Sequence, residues 1–386
     1  TGTAKYDGQS HTVTGYDVVS ISNSKYTVAD FSFSGEAEAT GTDADTYYMG
    51  LDASQFTNIS DNFSKVTFVV TDGSLTITKR SVTLTSETAT KEYDGTPLTK
   101  PDVTVGGDGF VEGEVTDITA TGSVTFVTDG PNEDGKVDNT ITYTKGENFK
   151  DKNYEITENV GVLSITKRSD VIVITTPTRS RAYKGARLVD YQTTHTGTLA
   201  EGDRLVVNFP ADAGLTDVGS KANEYASYYV ERISDGKDVT ANYTFGEPVI
   251  GTLTVTPVKI ELTAASDKKA YDGTPLTNGG YKITKGEFVT RRERIDGKFV
   301  DVEEGLASVT VEGSQTVVGS SANTITGHEL NEDTLAKNYS ITYVDGTLEV
   351  TQNVKVITIT ANSHTWEYDG QPHSDGGYTV TFDGFT

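Results

Sequence analysis

Tyr-Asp-Gly stands at Tyr6-Asp7-Gly8, Tyr93-Asp94-Gly95, Tyr271-Asp272-Gly273 and Tyr368-Asp369-Gly370, and Tyr183-Lys184-Gly185 fills the gap between the second and third. Successive tyrosines lie 87, 90, 88 and 97 residues apart. A period near 90 residues constrains the chain more than any other feature, because it requires an array of small units in place of one large core. Three further markers keep the same beat. The runs GSLTIT, GVLSIT, GTLTVT and GTLEVT end at Thr78, Thr166, Thr256 and Thr351, and their alternating apolar residues read as half-buried strands. Shortly before them come Asn62-Phe63, Asn153-Tyr154, Asn242-Tyr243 and Asn338-Tyr339, whose aromatic is expected in the core. A looser marker, Val137-Asp138-Asn139, VGSKANEY from Val218 and VGSSANTI from Val318, precedes a further apolar strand.

The Asp-Gly pair has a local reason. Asp bonds its own backbone two residues on and Gly accepts φ > 0, so Tyr-Asp-Gly predicts a tight turn whose Tyr packs against its own unit. Pro97 and Pro275 come shortly after two of these turns and cannot donate to a ladder, which places them at an edge or strand start. Units abut without a Pro- or Gly/Ser-rich linker, and Lys79-Arg80-Ser81 recurs as Lys167-Arg168-Ser169. The expected units are residues 1–80, 81–168, 169–257 and 258–351, with the start of a fifth in 352–386. The first begins almost at its turn and the last stops in its first third, so the chain reads as a window on a longer array, with secretion signal and anchor outside it.

Composition fits strands. The chain is rich in Thr and carries 20 Tyr and 39 Gly with 9 Pro, which suits pleated sheet better than helix. The absence of Cys removes disulfides, thiolate metal sites and Cys nucleophiles. A net charge of −24 argues against nucleic acid and anionic lipid as partners, and no apolar run approaches a membrane span. The expected fold is all-β: a tandem array of Ig-like antiparallel β-sandwich domains forming an elongated rod.

His, acidic, basic and aromatic residues supply the candidate sites. His11 and His373 share one repeat position and read as turn residues, and with His364 they lack the third ligand that zinc needs. No phosphate loop or nucleophile elbow is present. The acidic loops are weak calcium candidates: Asp129, Asp134 and Asp138 in DGPNEDGKVDN, and GTDADT from Gly41. In the first of them Gly130 and Ile141 stand where an EF-hand needs ligands. Arg291, Arg292 and Arg294 form a basic run in an acidic chain, a candidate docking patch set against a solvated hairpin. Tyr228, with Tyr225 and Tyr229, the pair Tyr47 and Tyr48, and Trp366 are candidates for stacking on sugars, set against core packing. Lys91 and Lys269 are weighed as isopeptide partners of Asn153 and Asn338.

YDGTPLT, VGSSANTI and KNYSITYVDGTLEVT in residues 271–351, with DGKDVTANY at 235–243, resemble the MBG/YDG-type tandem repeat domains of bacterial cell-surface proteins and adhesins. The resemblance runs over essentially the whole chain; Lys184 departs from it, as does the first unit around Tyr47. It implies an extracellular, bacterial-surface β-sandwich module in a stalk or adhesive segment, with no catalytic residues. The expectation is a non-enzymatic stalk without a required cofactor. Its partners are neighbouring units of the same chain and, beyond them, host or bacterial surface glycans or proteins. The rival is a glycan- or host-protein-binding module confined to unit 3 or unit 4.

Overall fold

The alternation in Ser81-Val82-Thr83-Leu84-Thr85-Ser86 sends Val82 and Leu84 to one side of a strand. Both are fully buried in the strand Arg80–Ser86 of the computed structural model, which describes residues 1–382. Strands and short 3-10 turns make up the regular structure, and there is no α-helix among the described residues. The chain divides into two compact units. One holds Thr1–Val173, His195–Val206 and Tyr228–Glu247; the other holds Ile174–Thr194, Val207–Ser227 and Pro248–Thr386. The division passes through the third repeat, residues 169–257, so each unit contains part of it.

The second repeat shows the plan of the first unit. Arg80–Ser86 pairs antiparallel with Val103–Gly107 and parallel with Tyr154–Asn159. The chain then crosses to a second sheet, where Ala89–Glu92 runs parallel to Gly161–Thr166, itself antiparallel to Lys136–Asn139. The opening segment is thus split between two sheets, and each half pairs parallel with one of the repeat's last two strands. The sheets are therefore mixed. The fourth repeat, in the second unit, repeats this plan: Val258–Ala264 pairs with Tyr281–Lys285 and Tyr339–Val344, and Asp267–Ala270 with Gly346–Thr351.

The crossover is fixed by one side chain. Asn139 is fully buried and donates to Glu87 O at 3.2 Å and Lys100 O at 2.8 Å, while its Oδ1 accepts from Gly122 N at 3.1 Å. Asn323 donates to Ala265 O and Asn278 O, both at 2.8 Å, and Asn223 to Pro177 O and Asp190 O at 3.2 and 2.9 Å. These are the asparagines of the loosest sequence marker. Each satisfies one carbonyl at the sheet switch, Glu87, Pro177 or Ala265, and ties it to a second 13 residues further along the chain. The glycine opening each last strand lies against the same crossover: a Cβ on Gly161, Gly251 or Gly346 would come within 2.3 Å of Glu87 O, Pro177 O or Ala265 O.

The apolar cores do not stop at repeat boundaries. In the first unit one cluster joins Tyr6, Leu75 and Ile77 of the first repeat to Val82, Leu84, Ile141 and Tyr154 of the second. In the second unit another joins Tyr183, Leu253 and Val255 to Ile260, Leu262, Ile325 and Tyr339.

Candidate functional site

The Tyr-Asp-Gly turn forms as its chemistry requires. Asp94 Oδ1 accepts from Thr96 N at 2.9 Å and Asp272 Oδ1 from Thr274 N at 2.9 Å, and Lys91 and Lys269 bond the same oxygens at 2.8 and 2.9 Å. In the other two turns Asp7 and Asp369 accept from Gln9 N and Gln371 N, and pair with His11 and His373 at 2.9 and 2.8 Å. All five glycines have positive φ, including Gly185 after the substituted Lys184. Burial of Asp94 is outweighed by the Lys91 ammonium and the Thr96 donors, which hold its carboxyl at about 2.

The tyrosine of the turn corrects the expectation drawn from the sequence. Tyr6 still packs on Leu75 and Ile77 and Tyr93 on Phe126 of their own repeats, but in Tyr6, Tyr93 and Tyr183 the hydroxyl enters the next repeat. Tyr6 OH donates to Glu114 Oε1 at 2.5 Å, and Tyr154 OH donates to Glu114 Oε2 at 2.7 Å. In the same unit Tyr93 and Tyr243 both donate to Asp203 Oδ2, at 2.9 and 2.6 Å. In the second unit Tyr183 and Tyr339 donate to Glu304 Oε1 and Oε2, each at 2.6 Å. The rings meet edge to face with centroids 5.7, 5.7 and 5.9 Å apart. The second tyrosine of each pair accepts a backbone N–H: from Val111 at 3.0 Å, Ala200 at 2.9 Å and Val289 at 2.9 Å.

Exposure tracks the presence of this socket. Tyr6, Tyr93 and Tyr183 are 3%, 0% and 2% exposed, whereas Tyr271 is 42% and Tyr368 98% exposed. Burial, then the Glu114 and Glu304 carboxyls, push Tyr6 and Tyr183 up to about 12. Tyr93, Tyr154, Tyr243 and Tyr339 are raised by the same causes. The phenols therefore stay protonated and remain donors, which is what a buried acidic group needs to be tolerated.

A second clasp closes each junction. Asn153, Asn242 and Asn338 end one-turn 3-10 helices and are buried. Their Oδ1 atoms accept from Ala44, Val127 and Val218 N of the preceding repeat at 2.7, 2.8 and 2.9 Å. Asp43 adds charge to the first of these: Lys150, then Asn153, outweigh desolvation and hold its carboxyl at about 2, with Lys152 3.2 Å away. Arg80 and Arg168 donate to Tyr6 O and Tyr93 O at 3.2 and 3.0 Å, and Asn353 does the same for Tyr271 O at 2.8 Å.

The carboxyls were missed at the level of sequence, yet a signal exists. Val111-Glu112-Gly113-Glu114 and Ala200-Glu201-Gly202-Asp203 share a small-apolar, Glu, Gly, acid pattern. Both close the same turn, Glu114 N to Val111 O and Asp203 N to Ala200 O, each at 3.1 Å. In the fourth repeat Glu304 N bonds Val289 O at 3.1 Å across an intervening hairpin, Thr290–Ile295 with Lys298–Glu303. This insertion separates the two halves of the pattern.

The other candidate residues are not assembled into a site. Asp129 Oδ2 accepts from Thr125 N and Phe126 N at 2.8 Å, Asp134 pairs with Lys136 at 3.3 Å, and Asp138 lies on the strand Lys136–Asn139. Among the described residues no group of three or more His, Asp or Glu is placed to hold a metal. Arg291 turns inward onto Glu304 at 3.1 Å, while Arg292 and Arg294 remain on the ribbon. Tyr228 lies against Phe245, 4.6 Å between centroids, and Trp366 between His364 and His373 at 4.9 and 5.2 Å. Tyr47 OH donates to Asp43 O at 3.0 Å, and Tyr48 is exposed. The isopeptide pairs are overturned: Lys91 and Lys269 bond Asp94 and Asp272, while Asn153 and Asn338 serve the junctions.

No family model and no curated protein matches the chain. Among solved structures the chain is similar to the N-terminal eight Ig domains of Down Syndrome Cell Adhesion Molecule isoform 1.30.30, at 12% identity and a TM-score of 0.13. The match covers 92% of this chain and 48% of that one.

Proposed function

We propose that the chain is a non-enzymatic stalk or adhesin segment of a large bacterial surface protein, working outside the cell, with neighbouring repeats as its principal partners. The observation that carries this reading is the threefold recurrence of one buried Tyr–carboxyl–Tyr junction, in Tyr6/Glu114/Tyr154, Tyr93/Asp203/Tyr243 and Tyr183/Glu304/Tyr339. Apart from Asp203 Oδ1, the Tyr and carboxyl groups of the junctions are spent on one another and on backbone. Such a junction makes each repeat a structural support for the next, and load applied along the chain passes through it. The acidic surface, −24 overall, favours solubility over lateral clustering.

Pulling the chain between its termini in a single-molecule force experiment tests this. Discrete unfolding events, shifted to lower force by Tyr93→Phe, are expected; a featureless extension contradicts it. The rival, recognition of a glycan or host protein by the third or fourth repeat, is favoured by the inserted hairpin. Saturable binding of the chain to a glycan array would support that rival.

A further inference from the structure

The junction of the third and fourth repeats carries more than a junction needs. Two residues close the equivalent turn elsewhere, Glu112-Gly113 and Glu201-Gly202, with Gly113 and Gly202 at φ +83° and +86°. Fourteen residues, 290–303, do so in the fourth repeat. They form a regular two-stranded ribbon closed by Asp296-Gly297, whose φ values of +49° and +81° are those of a tight hairpin turn matched to strand twist. The two strands pair only with each other among the described residues, so both edges are open. An isolated ribbon of this kind is marginal in water, and this one also exposes Phe299 at 67%, Ile295 and Val300.

The register sorts the side chains. Thr290, Arg292 and Arg294 face Glu303, Asp301 and Phe299 across one side of the ribbon. Arg292 lies over the Phe299 ring at 5.3 Å and 3.8 Å from Asp301, with both charged side chains about two-thirds exposed. Arg294 reaches Gly297 O at 3.4 Å. Two guanidinium groups therefore stand two residues apart on one strand face, bordered by an aromatic ring. A loose, solvent-screened pair such as Arg292–Asp301 is readily exchanged.

We propose that the Thr290–Ile295 edge is a docking site for an extended acidic segment of a partner protein, bound by strand addition. Its carboxylates, two residues apart, pair with Arg292 and Arg294, and an apolar residue of the segment rests on Phe299. Main-chain bonds supply attachment and the alternating charges select the register. The inference does not depend on the stalk reading, since a chain that bears no load would carry the ribbon equally well.

The test uses the full chain and a fluorescein-labelled peptide of alternating Glu and Thr, followed by anisotropy, with an alternating Lys and Thr peptide as control. The acidic peptide should bind, weaken as salt rises, and weaken about tenfold or more in the Arg292→Glu/Arg294→Glu variant, whose altered side chains are exposed. Replacing residues 292–301 by Asn-Gly, which keeps Arg291 on Glu304, should abolish binding and leave the melting temperature close to that of the parent. Failure of the acidic peptide to bind, equal binding to the double variant, or equal binding of the Lys peptide overturns the proposal. Heparin binding or self-association through the ribbon without peptide binding overturns it too, by assigning the edge to another occupant.

Discussion

Tyr93→Phe removes one oxygen from the middle of the first compact unit and leaves the ring in place. Tyr93 is fully buried, and its hydroxyl and that of Tyr243 are both donors to Asp203 Oδ2, at 2.9 and 2.6 Å. Asp203 Oδ1 is buried without a hydrogen-bond partner, so the variant leaves a half-buried acidic group with one side-chain donor. A hydrogen bond to a charged group contributes about 1.5–3 kcal/mol, which is roughly 10- to 100-fold in a local opening equilibrium. Hydrogen exchange read by mass spectrometry on peptides localises that change. Exchange should accelerate by this factor at Ala200 and Asp203, which close the socket, and at Tyr93 itself, whose N–H bonds Thr166 O. Residues 1–60, which lie in another repeat, should be unaffected, because distant sites are close to independent. Unchanged exchange at Ala200, or a uniform acceleration over the whole chain, would refute the reasoning.

Four other outcomes are expected. In an alkaline titration followed by phenolate absorbance, the six junction tyrosines should lag behind the rest of the 20. Their stability contribution is complete below about pH 10, where free phenols titrate, and is lost as pH rises through about 12; a single wave near pH 10 in the folded protein would contradict this. Asp43 is held at about 2, below its ordinary value near 4, so its contribution is complete above that value and fades as pH falls towards about 2; Asp43→Asn should flatten acid sensitivity at Ala44 in hydrogen exchange. Asn323→Ala leaves Ala265 O at the crossover and Asn278 O beyond it without their amide donor and should cost the fourth repeat about 2–5 kcal/mol in urea unfolding, whereas replacing the exposed Thr310 should cost under about 0.5 kcal/mol. Calcium and a chelator should give the same melting curve, since Asp43 and Asp134 are already paired with lysines.

What could be read from the sequence was whatever is local or periodic. Alternation placed the strands ending at Thr78, Thr166, Thr256 and Thr351, and Asp-Gly placed the turns, because each depends on residues within a few positions. The destination of the turn tyrosine was not legible: a buried aromatic looks the same in sequence whether its own repeat or the next one buries it. Tyr271 and Tyr368 carry the same motif as Tyr93 and yet lie exposed among the described residues. The role of Asn139, Asn223 and Asn323 was hidden likewise, since the carbonyls they satisfy lie 39 to 58 residues away for Lys100 and Ala265. Arg291, grouped by sequence with Arg292 and Arg294, is separated from them by the strand's own alternation, which turns it inward to Glu304.

The central claim is that the tyrosine of one repeat is held by the acidic residue of the next. A double-mutant cycle between Tyr6→Phe and Glu114→Gln, read as local stability of the first two repeats by hydrogen exchange, tests it most directly. The 2.5 Å bond predicts a coupling energy of about 1 kcal/mol or more, with the double variant less destabilised than the sum of the single ones. Strict additivity would contradict the account.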